Sequence, residues 1–278
     1  MQPSPVPTSP VTTTTNASQT STTARSAIRT PALLSKPTAL YSGDVIANKI
    51  FRGDSPESGT TAIYGSGIRG ATLDNLTFET SHYGLRIGTG LQSSNIVAND
   101  LTFRHLAEPL FLANVSNSTF SNLDIQADRY DTNQWHGIYL ERGNHHLTFK
   151  NVKISGGSGY CLQLYYSHGG SDYITFDGLT LDATTGRYPL VIQGYSHVIF
   201  RNVTIIASPD SDGPLVRFYG GDDVTFDGFT ASGGTSLVCW DFNAPTNVTF
   251  KNGTYKGPVL IEPGQEAAFV LENVIIVQ

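Results

Sequence analysis

The densest group of reactive side chains in this 278-residue sequence lies between residues 126 and 141. The segment QADRYDTNQWHGIYLE carries Asp128, Arg129, Tyr130, Asp131, Trp135, His136, Tyr139 and Glu141. Carboxylates, an imidazole and phenols in one short stretch are the parts needed for general acid–base chemistry. Further on, Gln163, Tyr165, Arg187, Gln193, Tyr195, Arg217 and Tyr219 interrupt otherwise apolar runs. Aromatic planes stack on sugar rings, while amides, carboxylates and guanidinium groups bond hydroxyls or acidic groups. The set therefore suits an extended polysaccharide or oligosaccharide.

Two reactions fit such a ligand. Hydrolysis of a glycosidic bond needs two carboxyls ~5 to 9.5 Å apart, and Glu141 with Asp128 or Asp131 is the pair that sequence proximity allows. Elimination from a uronic acid needs a base, for which His136, Tyr139 and Tyr165 qualify, and a group on the sugar carboxylate, for which Arg187, Arg217 and Gln163 qualify. The catalytic set expected from the sequence is thus Glu141, His136, Tyr139, Arg217 and Asp131. The substrate-binding set is Trp135, Gln163, Tyr165, Arg187, Gln193, Tyr195 and Tyr219.

What positions them is a repeat. LTFKNVKI at 147–154 returns as ITFDGLTL at 174–181, VIFRNVTI at 198–205, VTFDGFTA at 224–231, VTFKNGTY at 248–255 and FVLENVII at 269–276. Each copy reads as two short strands with period-2 alternation around a very tight bend. A third strand precedes each copy, as in GLRIG at 84, GIYLE at 137, CLQLY at 161 and PLVIQ at 189. Three strands every 21–29 residues, with no helical segment between them, describe one coil of a parallel β-helix. The expected fold is all-β, a single-stranded right-handed parallel β-helix of about nine coils.

The bend position holds Asn75, Asp100, Asn122, Asn151, Gly178, Asn202, Gly228, Asn252 and Asn273. These residue types accept positive φ, and stacking at ~4.8 Å would align their amides as a ladder. Three of them open Asn-x-Ser/Thr sequons, but the bend accounts for them without a glycan. On this coil motif the chain resembles the right-handed parallel β-helix proteins of the pectate-lyase-like superfamily over about residues 60–278. The resemblance implies a substrate groove along the first strands, walled by the loops that precede them. It carries no catalytic residue across. The calcium-aspartate and catalytic-arginine motif, the paired aspartates of polygalacturonases and the Asp-Pro-His signature of alginate epimerases all lack a counterpart here.

Alternation along the first strands puts Ile138 and Leu140, Leu162 and Leu164, and Leu190 and Ile192 inside. Arg86, Phe111, Tyr139, Glu141, Gln163, Tyr165, Val191, Gln193, Arg217, Tyr219 and Asp241 then face outward. Glu141 and Asp241 are four coils, ~19 Å, apart and cannot form a hydrolytic pair. Cys161 and Cys239 fall three coils, ~14 Å, apart and should remain free thiols.

Composition agrees with this architecture: 39% hydrophobic, 14% charged, 28 Gly, 13 Tyr and 14 Phe favour β-structure rich in turns. A net charge of −6 argues against nucleic acid as partner, and no apolar run reaches the ~20 residues of a membrane span. Residues 1–24 are almost wholly Ser, Thr, Pro and small residues, so 1–38 is expected to be a linker with a short cap and 39–278 the β-helix domain. No cofactor is expected. Ca²⁺ at Asp222–Asp223 or Asp210 and Asp212 is a weaker reading than turn chemistry, and His145–His146 lacks a third metal ligand. An extracellular or virion-surface protein fits the linker, with a non-catalytic tailspike- or adhesin-like stalk as the competing reading. The last coil carries no polar cap, so self-association or a further domain is expected there.

Overall fold

The computed structural model describes residues 32–55, 59–88, 90–127, 135–166, 170–186 and 188–277, all within the compact unit Pro31–Gln278. Two parallel sheets make it up, one of eleven strands and one of nine. Short strands such as Tyr83–Ile87, Glu108–Leu112, Ile138–Leu140, Tyr160–Tyr165, Tyr188–Gln193, Val216–Phe218 and Val238–Trp240 stack in one sheet. Long strands such as Val115–Ala127, His145–Gly156, Asp172–Ala183 and Ser196–Ala207 stack in the other. Each coil contributes one strand to each sheet and pairs with the coils before and after, which is the expected β-helix of about nine coils. Among the described residues the one helical element is a 3₁₀ turn, Glu266–Ala268.

One detail differs from the sequence reading. The two runs flanking the bend are not separate strands but a single long strand turned through a corner. Asn151 shows why: it sits at φ 52°, while Lys150 pairs with Asp177 before it and Val152 with Leu179 after it. A single left-handed residue changes chain direction yet leaves both flanks in register. The equivalent Asn75, Asp100, Asn122, Gly178, Asn202, Gly228, Asn252 and Asn273 all have φ between 48° and 74°. Several amides reach back one coil, with Asn75 Nδ2 donating to Asn48 Oδ1 at 2.8 Å and Asn151 Nδ2 to Asn122 Oδ1 at 3.1 Å. Where Gly replaces Asn at 178 and 228, the amides of Asn202 and Asn252 turn to Asp177 and Asp227 instead. The pairing also begins ahead of the expected boundary at residue 39, since Ala32–Leu34 pairs with Val45–Arg52.

Stacking rings fill the interior. Phe120, Phe149, Phe176, Phe200, Phe226 and Phe250 form one column, with centroids 4.4–5.1 Å apart. Beyond the corner a second column runs Phe51, Phe78 and Phe103 and then changes to Ile125, Ile154, Leu181, Ile205 and Ala231. The two columns trade volume coil by coil. Leu73 and Ala98 accompany Phe78 and Phe103, whereas each later Phe of the first column accompanies an aliphatic residue until Tyr255. Over these coils, up to Ile205, a fixed cross-section holds one large ring in the two columns, and at Phe250 with Tyr255 it holds two. Both cysteines are free and buried, as expected from their separation, and burial raises the Cys161 thiol to about 12.

Two substitutions probe this frame. Phe176→Ala removes a ring stacked on both sides and should cost about 3–5 kcal/mol in chemical denaturation. Asn151→Ala should cost about 1–2 kcal/mol, because it loses both the left-handed tolerance and the amide bond. Asn151→Gly keeps the former and should cost less.

Candidate functional site

On the outer face of the nine-stranded sheet the side chains fall into columns. Register places Tyr64, Arg86, Phe111, Tyr139, Gln163, Val191, Arg217 and Cys239 in one line along the solenoid. Two residues further along each strand comes a second line containing Glu141, Tyr165, Gln193, Tyr219 and Asp241, offset by two from the first. Most of these positions are half-buried, although Phe111, Val191 and Cys239 are covered and Tyr64 is exposed.

A third column lies on the other side of the first, at the lip where each strand begins. Tyr83 pairs with Glu108, and Tyr160 with Tyr188. His136 completes the column, standing two residues ahead of Ile138 just as Glu108 stands two ahead of Leu110. These five share the inward parity of the core residues Leu85, Leu110, Ile138, Leu162 and Leu190. Polar groups thus occupy the edge of the interior. Gly137 makes the close approach possible, because a Cβ there would meet Ile154 Cγ2 at 2.3 Å and Cys161 O at 2.7 Å.

The columns meet in one cluster. The Arg86 guanidinium lies 4.7 Å above the Tyr83 ring and 5.2 Å from that of Phe111. Phe111 and Tyr139 meet edge to face at 5.4 Å, and Tyr139 and Tyr165 lie tilted to each other at 5.9 Å. His136 lies 5.2 Å from Tyr139 and stacks on Tyr160 at 5.7 Å, while Trp135 meets His82 edge-on at 4.4 Å. Beside this cluster a cavity of about 740 Å³ is lined by Tyr41, Thr60, Tyr64 and Arg86 among others. The outward line therefore continues into a concave surface.

Electrostatics single out the lip. Glu108 is 2% exposed, and burial pushes its carboxyl from 4.5 up to about 8 against the opposing pull of Arg86. Its Oε1 and the Arg86 Nε are buried without a hydrogen-bond partner. Burial, followed by the Glu108 charge, raises the Tyr83 phenol to about 12. His136 moves the opposite way, from 6.5 down to about 4, because burial disfavours the imidazolium. Its Nδ1 accepts the Tyr160 backbone N–H at 3.0 Å, which assigns the remaining ring proton to Nε2. Burial also raises the Tyr139 phenol, assisted by the charges of Glu141 and Glu108.

Of the residues expected from the sequence, the structure gathers Trp135, His136, Tyr139, Glu141, Gln163 and Tyr165 within adjacent coils. Arg217 is set apart, three coils or ~14 Å beyond Tyr139. There it stacks over Tyr188 at 5.4 Å and faces Asp241 at 3.6 Å, with Tyr219 alongside. Gln193 is half-buried next to Tyr165 in register. Asp131 and Arg187, with Asp128, lie outside the described residues.

Tyr195 requires a correction. It is fully buried rather than substrate-facing, and its hydroxyl donates to the carbonyls of Leu140 and Glu141 while accepting from Asn144 Nδ2. Gly194 at φ 66° reverses the alternation, so the ring turns inward and braces the corner that carries Glu141. The sequence reading missed Glu108 and Tyr83 altogether. The signal available was a glutamate at a position whose parity is that of the core.

These shifts predict how stability follows pH. Folded Glu108 keeps its proton to about pH 8, whereas the unfolded chain releases it near 4.5; its contribution is therefore complete below 4.5 and lost on rising to about 8. Folded His136 stays neutral to about pH 4, whereas the unfolded chain protonates near 6.5; its contribution is present above 6.5 and lost on falling to 4. Thermal melts should show Glu108→Gln gaining on the wild type between pH 4.5 and 8, by an amount on the order of a few kcal/mol, and level above. His136→Gln should gain only below pH 6.5. A difference constant with pH would show that neither group is shifted.

Comparison with known proteins bears on this geometry. Residues 38–178 match the family described as right-handed β-helix region. Among solved structures the chain is similar to ORF18 of Geobacillus virus E2, with a TM-score of 0.68, 11% identity, and coverage of 88% of this chain and 50% of that one. The chain thus spans half the length of that viral protein. It is also similar to an endo-xylogalacturonan hydrolase from Aspergillus tubingensis, with a TM-score of 0.57, 13% identity, and 88% and 84% coverage. The A-module of the mannuronan C-5 epimerase AlgE4 from Azotobacter vinelandii gives a TM-score of 0.53, 14% identity, and 86% and 80% coverage. At these identities the likeness concerns the fold. No curated protein matches the sequence.

Proposed function

This chain belongs to the right-handed β-helix family, and we propose that it is a polysaccharide-active protein whose glycan lies along the outer face of the nine-stranded sheet. The observation that carries this reading is the unbroken line Tyr64, Arg86, Phe111, Tyr139, Gln163 and its neighbours Glu141 and Tyr165. From Tyr64 to Arg217 the line crosses six coil spacings, ~29 Å, which is long enough for several sugar rings. Exposed Tyr64, half-buried Tyr139 and Tyr165, the guanidinium of Arg86 and the amide of Gln163 lie along it, a composition that supports recognition of rings and hydroxyls together.

Chemistry is supported by the cluster rather than by the line. Tyr139 sits between a neutral histidine, a carboxylate at Glu141 and the buried carboxyl of Glu108. Paired titratable groups whose surroundings push their proton affinities apart are the mark of acid–base work. The reaction class is cleavage of a glycosidic bond, by hydrolysis or elimination. Solved relatives that share the fold include enzymes named for hydrolysing or epimerising polysaccharides. Such a role puts the protein outside a cell or at a virion surface, where polysaccharides are met.

The test is a panel of neutral and acidic polysaccharides, followed by binding, by reducing ends and by the ultraviolet absorbance of unsaturated sugars. Tyr139→Ala and Tyr165→Ala should each weaken binding about tenfold, equivalent to ~1.4 kcal/mol. Arg217→Ala should weaken only ligands long enough to cross three coils. Unchanged binding of long glycans by all three variants would exclude this face.

A further inference from the structure

One aromatic side chain stands clear of the solenoid. Phe242 is 88% exposed, more than any other large apolar side chain among the described residues. Its backbone lies in the left-handed region at φ 65°, and across it the Asn243 N–H donates to the Asp241 carbonyl at 2.8 Å. A three-residue turn closed in this way is the rare, strained form of the γ-turn. The position itself needs no side chain. Register carries it back one and two coils to Gly220 and Gly194, at φ 85° and 66°, so the fold fills it with glycine on both preceding coils. Here a phenyl ring takes the same conformation, and its exposure returns little packing to offset the strain.

The turn is nonetheless held on both sides. Gln265 accepts the Trp240 amide at 2.7 Å and donates to the Trp240 carbonyl at 2.9 Å. The Asp241 N–H donates to the Phe218 carbonyl and, beyond the turn, the Thr246 N–H to that of Gly221, both at 2.9 Å. The Phe242 ring therefore has a fixed place, 5.5 Å from the Tyr219 ring and inclined to it at 48°. Tyr219 belongs to the outward line, and its hydroxyl accepts from Arg217 Nη1 at 3.4 Å, while Arg217 faces Asp241 at 3.6 Å. Two rings and a partly open ion pair thus meet where Val238–Trp240 forms the edge of the nine-stranded sheet.

We propose that Tyr219 and Phe242 are a stacking platform for a sugar ring at one end of the bound glycan, with Arg217 and Asp241 bonding the hydroxyls at that ring's edge. The proposal rests on the glycan-binding reading above and extends it to a distal subsite. Tyr219 stands three coil spacings beyond the level of Tyr139 and Phe242 four, so the ligand must span ~14–19 Å. An aromatic face covers the apolar face of a sugar, and a guanidinium beside a carboxylate both donates to and accepts from hydroxyls. The strained turn holds the ring out before the ligand arrives, which lowers the ordering cost of binding.

The test uses size-graded oligosaccharides from the best polysaccharide of the panel, with binding measured by calorimetry for wild type, Phe242→Gly, Phe242→Ala and Phe242→Tyr. Phe242→Gly should melt about 2–4 °C above wild type, because glycine relieves the turn. It should also bind chains long enough to reach the platform about five- to tenfold more weakly. Phe242→Ala should lose the same affinity without the gain in stability, and Phe242→Tyr should bind within about twofold of wild type. Oligosaccharides too short to reach beyond Tyr139 should bind all four alike. A lower melting temperature for Phe242→Gly would assign the ring to the fold and overturn the proposal. Long chains bound at full affinity by the Gly and Ala variants, yet weakened by Tyr139→Ala, would overturn it and leave the glycan reading standing. So would a sedimentation coefficient that falls in Phe242→Gly with glycan binding intact, which would assign the ring to contact between copies of the chain. Wild type that binds no glycan would end both.

Discussion

Everything in this molecule is governed by the distance between one coil and the next. Parallel pairing fixes it at ~4.8 Å, and each side chain meets its counterpart from the neighbouring coil at that spacing. Identical or compatible residues must therefore stack. The six-membered Phe column does so with rings nearly parallel, interplanar angles falling to 3° between Phe226 and Phe250. The corner residues satisfy the same demand differently, since a left-handed backbone at each level permits the turn and an amide or a small side chain fits above the last. Side chains large enough to break the spacing are absorbed locally. Phe229 lies over Gly253, where any Cβ would come within 2.2 Å of its ring.

The same constraint decides how much the sequence discloses. Period-2 alternation and the Asn corner are local properties, so they are readable from one copy of the repeat and reinforced by the next. Parity along a strand is likewise local, which is why the outward line of Arg86, Tyr139, Gln163 and Arg217 was legible. A residue in the left-handed region breaks that parity without leaving a mark that alternation can show. Gly194 does so one residue before Tyr195 and sends a tyrosine into the core, where its hydroxyl fastens the corner around Glu141. Glycine is ambiguous here, because the same residue type marks corners, close approaches and reversals. The merged strand is a related case: a bend reads as an end, although pairing continues on both sides of it.

A second left-handed corner shows the constraint acting on surface residues. Asn95, Asn117, His146, Tyr173, His197, Asp223 and Asn247 hold φ between 48° and 57° at successive levels. Tyr and His are poor choices for that conformation, in which Asn and Asp are tolerated best. His146, Tyr173 and His197 nevertheless stack there at 5.0 and 4.5 Å, and ring-on-ring contact offsets part of the conformational cost. Unusual residues at a corner are thus explicable by their neighbours one coil away, with no ligand invoked.

The lip of the nine-stranded sheet meets the same constraint by a different combination of contacts. Tyr83, Glu108, His136, Tyr160 and Tyr188 also form a column, in which His136 stacks on Tyr160 and Tyr160 meets Tyr188 at a tilt. Stacking accounts for the tyrosines and gives His136 its ring partners, and the Tyr160 amide satisfies its Nδ1. Glu108 is held differently: its flanking neighbours in the column are rings, and its carboxyl shares a hydrogen bond with the Tyr83 hydroxyl while Oε1 has no further partner. Repetition makes such a departure conspicuous: in a structure where each level answers the one beneath it with a like side chain, a buried carboxyl between two rings is answered instead by the hydroxyl of Tyr83 from the coil before.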